Sequence, residues 1–263
     1  MPTCATLSRV KLVVLGSGTS VPHSQRASPA FWLETQCGSI LLDCSADAAH
    51  RMAEENLEWP NLDAIWISHL HLDHCGGLAS LLFGLKWAPQ TQARRKPLKI
   101  FSCKGIERLL QAIDSSNEYG LFKQPFPVEL HEVENGSDDF AILPGLHAQV
   151  FSTPHTPESL AIRLTDGDAS LAYSSDTGFS EGLASFASGV NLLILECSFH
   201  RKKPVPTHLE LADAMRIAKI AEPRKLLLTH LYPEWDGIDI EAKARELWPG
   251  TSIAADDGLR LEI

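Results

Sequence analysis

The chain has 263 residues, 44% of them apolar and 21% charged, with a formal net charge of −10. That length suits one large α/β domain with a full core, and no run approaches the roughly 20 apolar residues needed to span a bilayer. The negative charge repels polyanions at long range and argues against a general nucleic-acid coat.

Met1 to Arg9 carry neither the positive region nor the long apolar stretch of a secretory signal, so a cytoplasmic protein is expected. Val10 to Leu15 is a β-type run ending in Gly16-Ser17-Gly18-Thr19-Ser20. A dinucleotide fingerprint would need a third glycine and a following helix; Val21-Pro22 stands there instead. Phe31 to Glu34 and Ile40 to Asp43 alternate around Gly38-Ser39 as a hairpin, which sets Cys37 opposite Ile40 and sends Cys44 to the far end. The six cysteines contain no CxxC pair, so they read as free thiols rather than a zinc knot or a disulfide framework. Asp43 stands where it could cap a helix over Ser45 to Asn56.

Ala64-Ile65-Trp66-Ile67 reads as a buried strand. Its end runs into Ser68-His69-Leu70-His71-Leu72-Asp73-His74-Cys75-Gly76-Gly77, which places three imidazoles and a carboxylate in one small loop. Neutral imidazole and carboxylate are the ligands of catalytic zinc rather than of a thiolate knot. Leu78 to Trp87 follows as an apolar helix stopped by Pro89.

Two basic clusters, Arg94-Arg95-Lys96 and Arg201-Lys202-Lys203, could dock phosphate locally or lie on solvated loops. Leu98 to Ser102 reads as a strand, Ile106 to Ile113 as a helix, Val128 to Val133 as a strand and Asn135-Gly136-Ser137-Asp138-Asp139 as a loop. Ala148 to Thr153 leads to His155, and two strands flanking Asp166-Gly167-Asp168 run up to Asp176. A short helix near Glu181 to Ser188 precedes the strand Asn191 to Leu195, which presents Glu196-Cys197-Ser198-Phe199. Thr207-His208-Leu209-Glu210 has the form of a capping box. It would open a helix whose Leu211, Ala214, Met215 and Ala218 share one face. The strand Lys225 to Leu228 ends on Thr229-His230, and a last helix and the strand-like Leu259 to Ile263 close the chain.

At His69-Leu70-His71-Leu72-Asp73-His74 the chain resembles the metallo-β-lactamase superfamily, with its H-x-H-x-D-H signature. His155, Asp176 and His230 follow at strand ends in that superfamily's order. The resemblance implies an αββα sandwich of two mixed β-sheets with helices on both outer faces, the metal at one edge, and the glycine turn near its rim. It implies two Zn2+ per chain, with Mn2+ as the alternative: His69, His71 and His155 on the first, Asp73, His74 and His230 on the second, and Asp176 between. Such a pair binds a bridging hydroxide at neutral pH and hydrolyses esters. Asp73 then counts as a catalytic residue as well as a ligand. Asp43 gains a second reading, as the carboxylate behind the metal loop that holds a ligand histidine. The iron redox branch carries glutamate where this chain has His71.

Within the superfamily the chain looks most like the ribonuclease Z group. There, a histidine after the fourth motif and a strand-end glutamate donate a proton to the departing oxygen; His208 and Glu196 match those positions. One departure stands out. The transfer-RNA-processing members carry a long arm between the third and fourth motifs, whereas only 20 residues separate His155 from Asp176 here. The expectation is therefore a binuclear phosphodiesterase acting on a cyclic nucleotide or short oligonucleotide, with RNA not favoured and no membrane partner. Open alternatives are transfer RNA maturation, with the arm supplied by a second copy in a homodimer, and an acyl or sulfate ester hydrolase. From another class, a non-catalytic metal-dependent interaction protein is also open, although degenerate members lose ligands and this chain keeps all seven.

Overall fold

The computed structural model describes residues 10–263 except 135, 137, 138 and 168. The readings made for Met1 to Arg9, for most of the loop at 135–138 and for Asp168 therefore lie outside the described residues. Strands β1 to β7 are Lys11–Gly16, Ala30–Thr35, Gly38–Leu42, Ala64–Ile67, Leu98–Cys103, Val128–Val133 and Phe140–Leu143. Strands β8 to β14 are Leu146–Ser152, Leu160–Asp166, Ala169–Tyr173, Leu192–Glu196, Lys225–Thr229, Ser252–Ala254 and Arg260–Glu262.

They form two seven-stranded sheets, ordered β14-β1-β2-β3-β4-β5-β6 and β13-β12-β11-β10-β9-β8-β7. Each is mixed. The first is antiparallel from β14 to β3 and parallel from β3 to β6. The second is antiparallel from β7 to β10 and parallel from β10 to β13.

The central strands are apolar at consecutive positions because both of their faces are covered. In β4, Ala64 and Trp66 face the core between the sheets, while Ile65 and Ile67 face helices. In β11, Leu192 and Ile194 point inward and Leu193 and Leu195 outward. Helices α1 (Ala48–Glu54), α3 (Leu78–Trp87) and α4 (Ile106–Asn117) cover the outer face of the first sheet; α2 (Leu72–Cys75) lies within the metal loop. Helices α5 (Glu181–Phe186), α6 (Leu211–Ala221) and α7 (Ile240–Leu247) cover the second. This is the αββα sandwich expected from the sequence. Among the described residues, no helix is long and apolar enough to cross a membrane.

Several local expectations are corrected. The β2-β3 turn is Gln36-Cys37, because β3 already starts at Gly38, and Ile40 faces Leu33 rather than Cys37. Helix α1 starts at Ala48 with Asp47 at its N-cap, so Asp43 caps no helix. The Thr207 capping box does not form. Phe199 bridges Glu210, the Leu209 amide donates to Glu196, and α6 begins only at Leu211, its face of Leu211, Ala214, Met215 and Ala218 buried as expected. The first basic cluster is structural: the buried Arg94 guanidinium donates to the carbonyls of Pro60, Leu62, Lys96 and Pro97, and Lys96 pairs with Asp63.

Candidate metal centre and active site

Apart from His208, which lies in the segment between β11 and α6, every residue singled out in the sequence for chemistry lies at or just beyond the C-terminal end of a strand, where open α/β sheets place their ligands. The loop after β4 brings His69, His71, Asp73 and His74. His155 follows β8, Asp176 follows β10, Glu196 ends β11 and His230 follows β12. Three tight turns aim these groups: Asp43, Ser175 and His230 all adopt left-handed backbone, with φ of 58°, 55° and 58°. Non-glycine residues hold that conformation only where the surroundings over-determine it. The loop itself is pressed against α1's approach: Gly77 donates to the Cys44 carbonyl, and a Cβ there would stand 2.0 Å from the Ser45 carbonyl oxygen.

Six of the seven donors gather around the carboxylate of the seventh, Asp176. Asp176 Oδ2 lies 3.9 Å from His69 Nε2 and 3.7 Å from His155 Nε2, and the His155 nitrogen is 3.1 Å from His71 Nδ1. Asp176 Oδ1 lies 3.2 Å from both His74 Nε2 and His230 Nε2, and Asp73 Oδ2 is 3.8 and 3.6 Å from the same two nitrogens. Two donor sets thus face opposite oxygens of Asp176.

Whether these donors fit metal ions is tested by their hydrogen bonds. His69 Nε2, His74 Nε2, His230 Nε2 and Asp176 Oδ1 are buried with no hydrogen-bond partner, an arrangement that is costly unless a cation occupies the space between them. The opposite nitrogens are all engaged. His74 Nδ1 donates to Asp43 Oδ2 at 2.7 Å, and His155 Nδ1 donates to the Thr207 carbonyl at 3.0 Å. His230 Nδ1 donates to Ser198 Oγ at 2.9 Å, whose own proton goes to Glu196 Oε2. His69 Nδ1 donates to Ser68 Oγ at 3.1 Å, whose proton goes to Asp43. Each pairing fixes the tautomer that leaves a lone pair on Nε2, the usual outer support of a metal-bound histidine. Burial, then the neighbouring His74, outweighs the opposing charge of Asp176 and holds His69 well below the ordinary histidine range. Burial also lowers His155. For Asp176, burial is overcome by His230, His74 and His69, and its carboxyl stays well below the usual range. His74 goes the other way: burial is overcome by the charges of Asp176 and Asp43, which hold it well above the ordinary histidine range and so favour positive charge at that point of the cluster. Metal binding takes ionised carboxylates and displaces the proton from such an imidazole.

Asp43 answers the question left open by the sequence. Fully buried, it accepts from the Ser68 amide, the Ser68 hydroxyl, His74 Nδ1 and, at 2.6 Å, the Tyr173 hydroxyl of the other sheet. Burial and the charge of Asp43 push the Tyr173 phenol well above its ordinary pKa, so it stays a donor. Asp43→Ala strands all four donors and is expected to lower stability by about 3–5 kcal/mol. Urea unfolding of wild type and variant measures this; a change below about 1 kcal/mol contradicts the network.

His208 stands beside the donor cluster, its ring stacked on His230 with centroids 5.4 Å apart, and it converges with Asp176 and His230 as a third group of potential ligands. Its Nδ1 donates to Glu196 Oε1 at 3.0 Å. Glu196, itself buried, also accepts from the Thr177 amide, the Leu209 amide and Ser198 Oγ. Burial opposes the His208 cation, but the hydrogen bond and charge of Glu196, with Asp176 and Asp73, prevail and raise its pKa. Ser198 was missed in the sequence although it lies two residues beyond Glu196. A hydroxyl's role depends on its partners, here His230 and Glu196 from separate strands.

Fold and site together define a metallo-β-lactamase-fold hydrolase that depends on bound metal. The sequence matches the family described as "Anti-Pycsar protein Apyc1" over residues 10–247, and the chain belongs to that family. It is also similar to a ribonuclease Z of Ignicoccus hospitalis, 26% identical with 98% of this chain and 99% of the relative covered. Among solved structures it resembles the metallo-β-lactamase fold protein YhfI of Bacillus subtilis, with a TM-score of 0.82 at 23% identity, covering 97% of this chain and 100% of that one. A diphosphatase of the PhnP family gives a TM-score of 0.74 at 24% identity, over 97% and 98% of the two chains.

Proposed function

We propose that the chain, acting as a single domain over residues 1–263, is a phosphodiesterase for small phosphodiesters such as a cyclic nucleotide or short oligonucleotide. The observation that carries the reading is the two-sided Asp176 carboxylate with the Glu196-held His208 at its side. His69, His71 and His155 would hold one Zn2+, and Asp73, His74 and His230 a second, with Asp176 shared; Mn2+ suits the same donors. When bound, such a pair lowers the pKa of water and neutralises charge on the phosphoryl oxygens. The remaining chemistry belongs to side chains. Asp73 orients the attacking water. His208, with Nδ1 donating to Glu196, carries its second proton on Nε2 and passes it to the departing oxygen.

The reading is supported by relatives named for ribonuclease Z and for a diphosphatase. The small-substrate choice rests on the net charge of −10 and on the segment between His155 and Asp176, which is spent on the hairpin β9-β10 and leaves no length for an arm. Transfer RNA maturation is the second reading, favoured by the near full-length likeness to ribonuclease Z. A cytoplasmic location is supported by free thiols at Cys37, Cys44, Cys75, Cys103 and Cys197.

The test compares kcat/KM at fixed salt on cyclic nucleotides, an unprocessed transfer RNA, an aryl sulfate and a thioester. A cyclic nucleotide is expected to be the best of these and the transfer RNA poor. Efficient single-site removal of the precursor's 3′ trailer would instead establish the processing role, and turnover of the sulfate or thioester alone would establish an acyl or sulfate hydrolase.

A further inference from the structure

One non-histidine ring at the rim of the donor cluster has no part in the scheme above. Tyr232 follows the ligand His230 by two residues, and its ring centroid lies 6.2 Å from that of His230 and 6.4 Å from that of His208, inclined 65° and 71° to them. The ring thus lies beside both the donor cluster and the proton donor.

One face of the ring is backed by Phe199, stacked with centroids 4.7 Å apart and planes 26° from parallel. Phe199 is buried, whereas Tyr232 is half-buried. Among the described residues Phe199 is the one ring stacked parallel on Tyr232, which leaves the opposite face for a stacked ligand.

The ring is also held still. The Tyr232 amide donates to the Ser198 carbonyl and the Leu231 amide to the Ser17 carbonyl. Trp235, buried one turn further on, donates its indole N–H to the Cys197 carbonyl at 2.8 Å. Ser17 is anchored in turn by Asp257, which accepts from its amide and its hydroxyl. The phenol oxygen reaches Ser20 in the same glycine turn. A rigid, part-exposed aromatic face gives contact area at little conformational cost. Beside a phosphoryl-transfer centre, the flat apolar group that such a face recognises is a nucleobase.

We propose that Tyr232, backed by Phe199, is the stacking platform for the base of a nucleoside-bearing phosphodiester, and so determines that the substrate is a nucleotide rather than a base-free ester. The inference rests on the phosphodiesterase reading and narrows its substrate. Stacking tolerates any base, because every base offers a π-face, so purine and pyrimidine substrates differ little at this position.

The test uses two esters that share a leaving group, thymidine 5′-(p-nitrophenyl phosphate) and methyl p-nitrophenyl phosphate. In Tyr232→Ala and Tyr232→Leu, the kcat/KM ratio of nucleoside ester to methyl ester should fall roughly 5- to 150-fold, the range for loss of one stacked base. The fall should appear in KM rather than kcat, and Tyr232→Phe should restore the ratio. Independently of turnover, calorimetry should show adenosine 5′-monophosphate binding weakened by a similar factor in the Ala and Leu variants, with inorganic phosphate binding preserved. Equal losses on both esters, or an unchanged ratio, would overturn the platform and make Tyr232 packing for His208. A wild type that hydrolyses neither ester would instead overturn the phosphodiesterase reading, and the platform with it.

Discussion

His208→Ala is expected to lower turnover by roughly 10²–10⁴-fold on a phosphodiester with an alkoxide leaving group, the usual range for a positioned general acid, while metal content stays at the wild-type level. The argument is geometric. The imidazole is fixed by Glu196, which is itself saturated by two backbone amides and the Ser198 hydroxyl, so the ring can neither rotate away nor lose its Nδ1 proton cheaply. What remains free is Nε2. The loss should shrink on p-nitrophenolate esters, whose leaving group hardly needs a proton. Parallel assays on the two leaving groups, with metal analysis of the same preparations, separate an acid from a ligand. Equal losses on both, with metal retained, would assign His208 to substrate binding, and the acyl or sulfate hydrolase reading would gain. Glu196→Gln should reproduce part of the same leaving-group dependence, because the amide keeps the shape of the hub but not its charge.

Asp176→Ala should behave differently and more severely. Its two oxygens face different donor sets, so its removal separates the sets and leaves His69, His74 and His230 facing an uncompensated cavity. Turnover should fall on every substrate alike, by more than the roughly 10–100-fold typical of losing an outer partner of a ligand. Steady-state rates on the alkoxide and p-nitrophenolate esters measure this. A variant that keeps its activity within tenfold of wild type would mean that Asp176 does not join the two sets.

The sequence made the metal loop legible because its information is local: an apolar strand and four ligand-type residues lie within ten positions of each other. His155, Asp176 and His230 are single residues at strand ends, and only their order relative to a resembling family gave them meaning. Asp43 illustrates why the rest was not legible. Its choice between cap and support depends on a left-handed backbone at that residue and on Tyr173, which arrives from the other sheet 130 residues later. The Thr207 capping box failed for a similar reason. The local pattern was correct, but the Leu209 amide is taken by the Glu196 carboxylate and the segment bridges to Phe199 instead of starting the helix. Arg94 looked like part of a phosphate patch; four backbone carbonyls from two segments claim its guanidinium. Strands β7 and β13, of four and three residues, are too short for their periodicity to register, and both lie at sheet edges set by partners distant in the chain.

The central claim of the proposal is that six side chains on the two sides of the Asp176 carboxylate would hold, together with it, a pair of metal ions. Elemental analysis of the wild-type protein, purified in metal-replete buffer and stripped of loosely bound ions, tests it most directly. The account predicts close to two zinc-class ions per chain, and fewer in Asp176→Ala. A wild type that binds at most one ion under those conditions would contradict it, and the shared role of Asp176 would have to be abandoned.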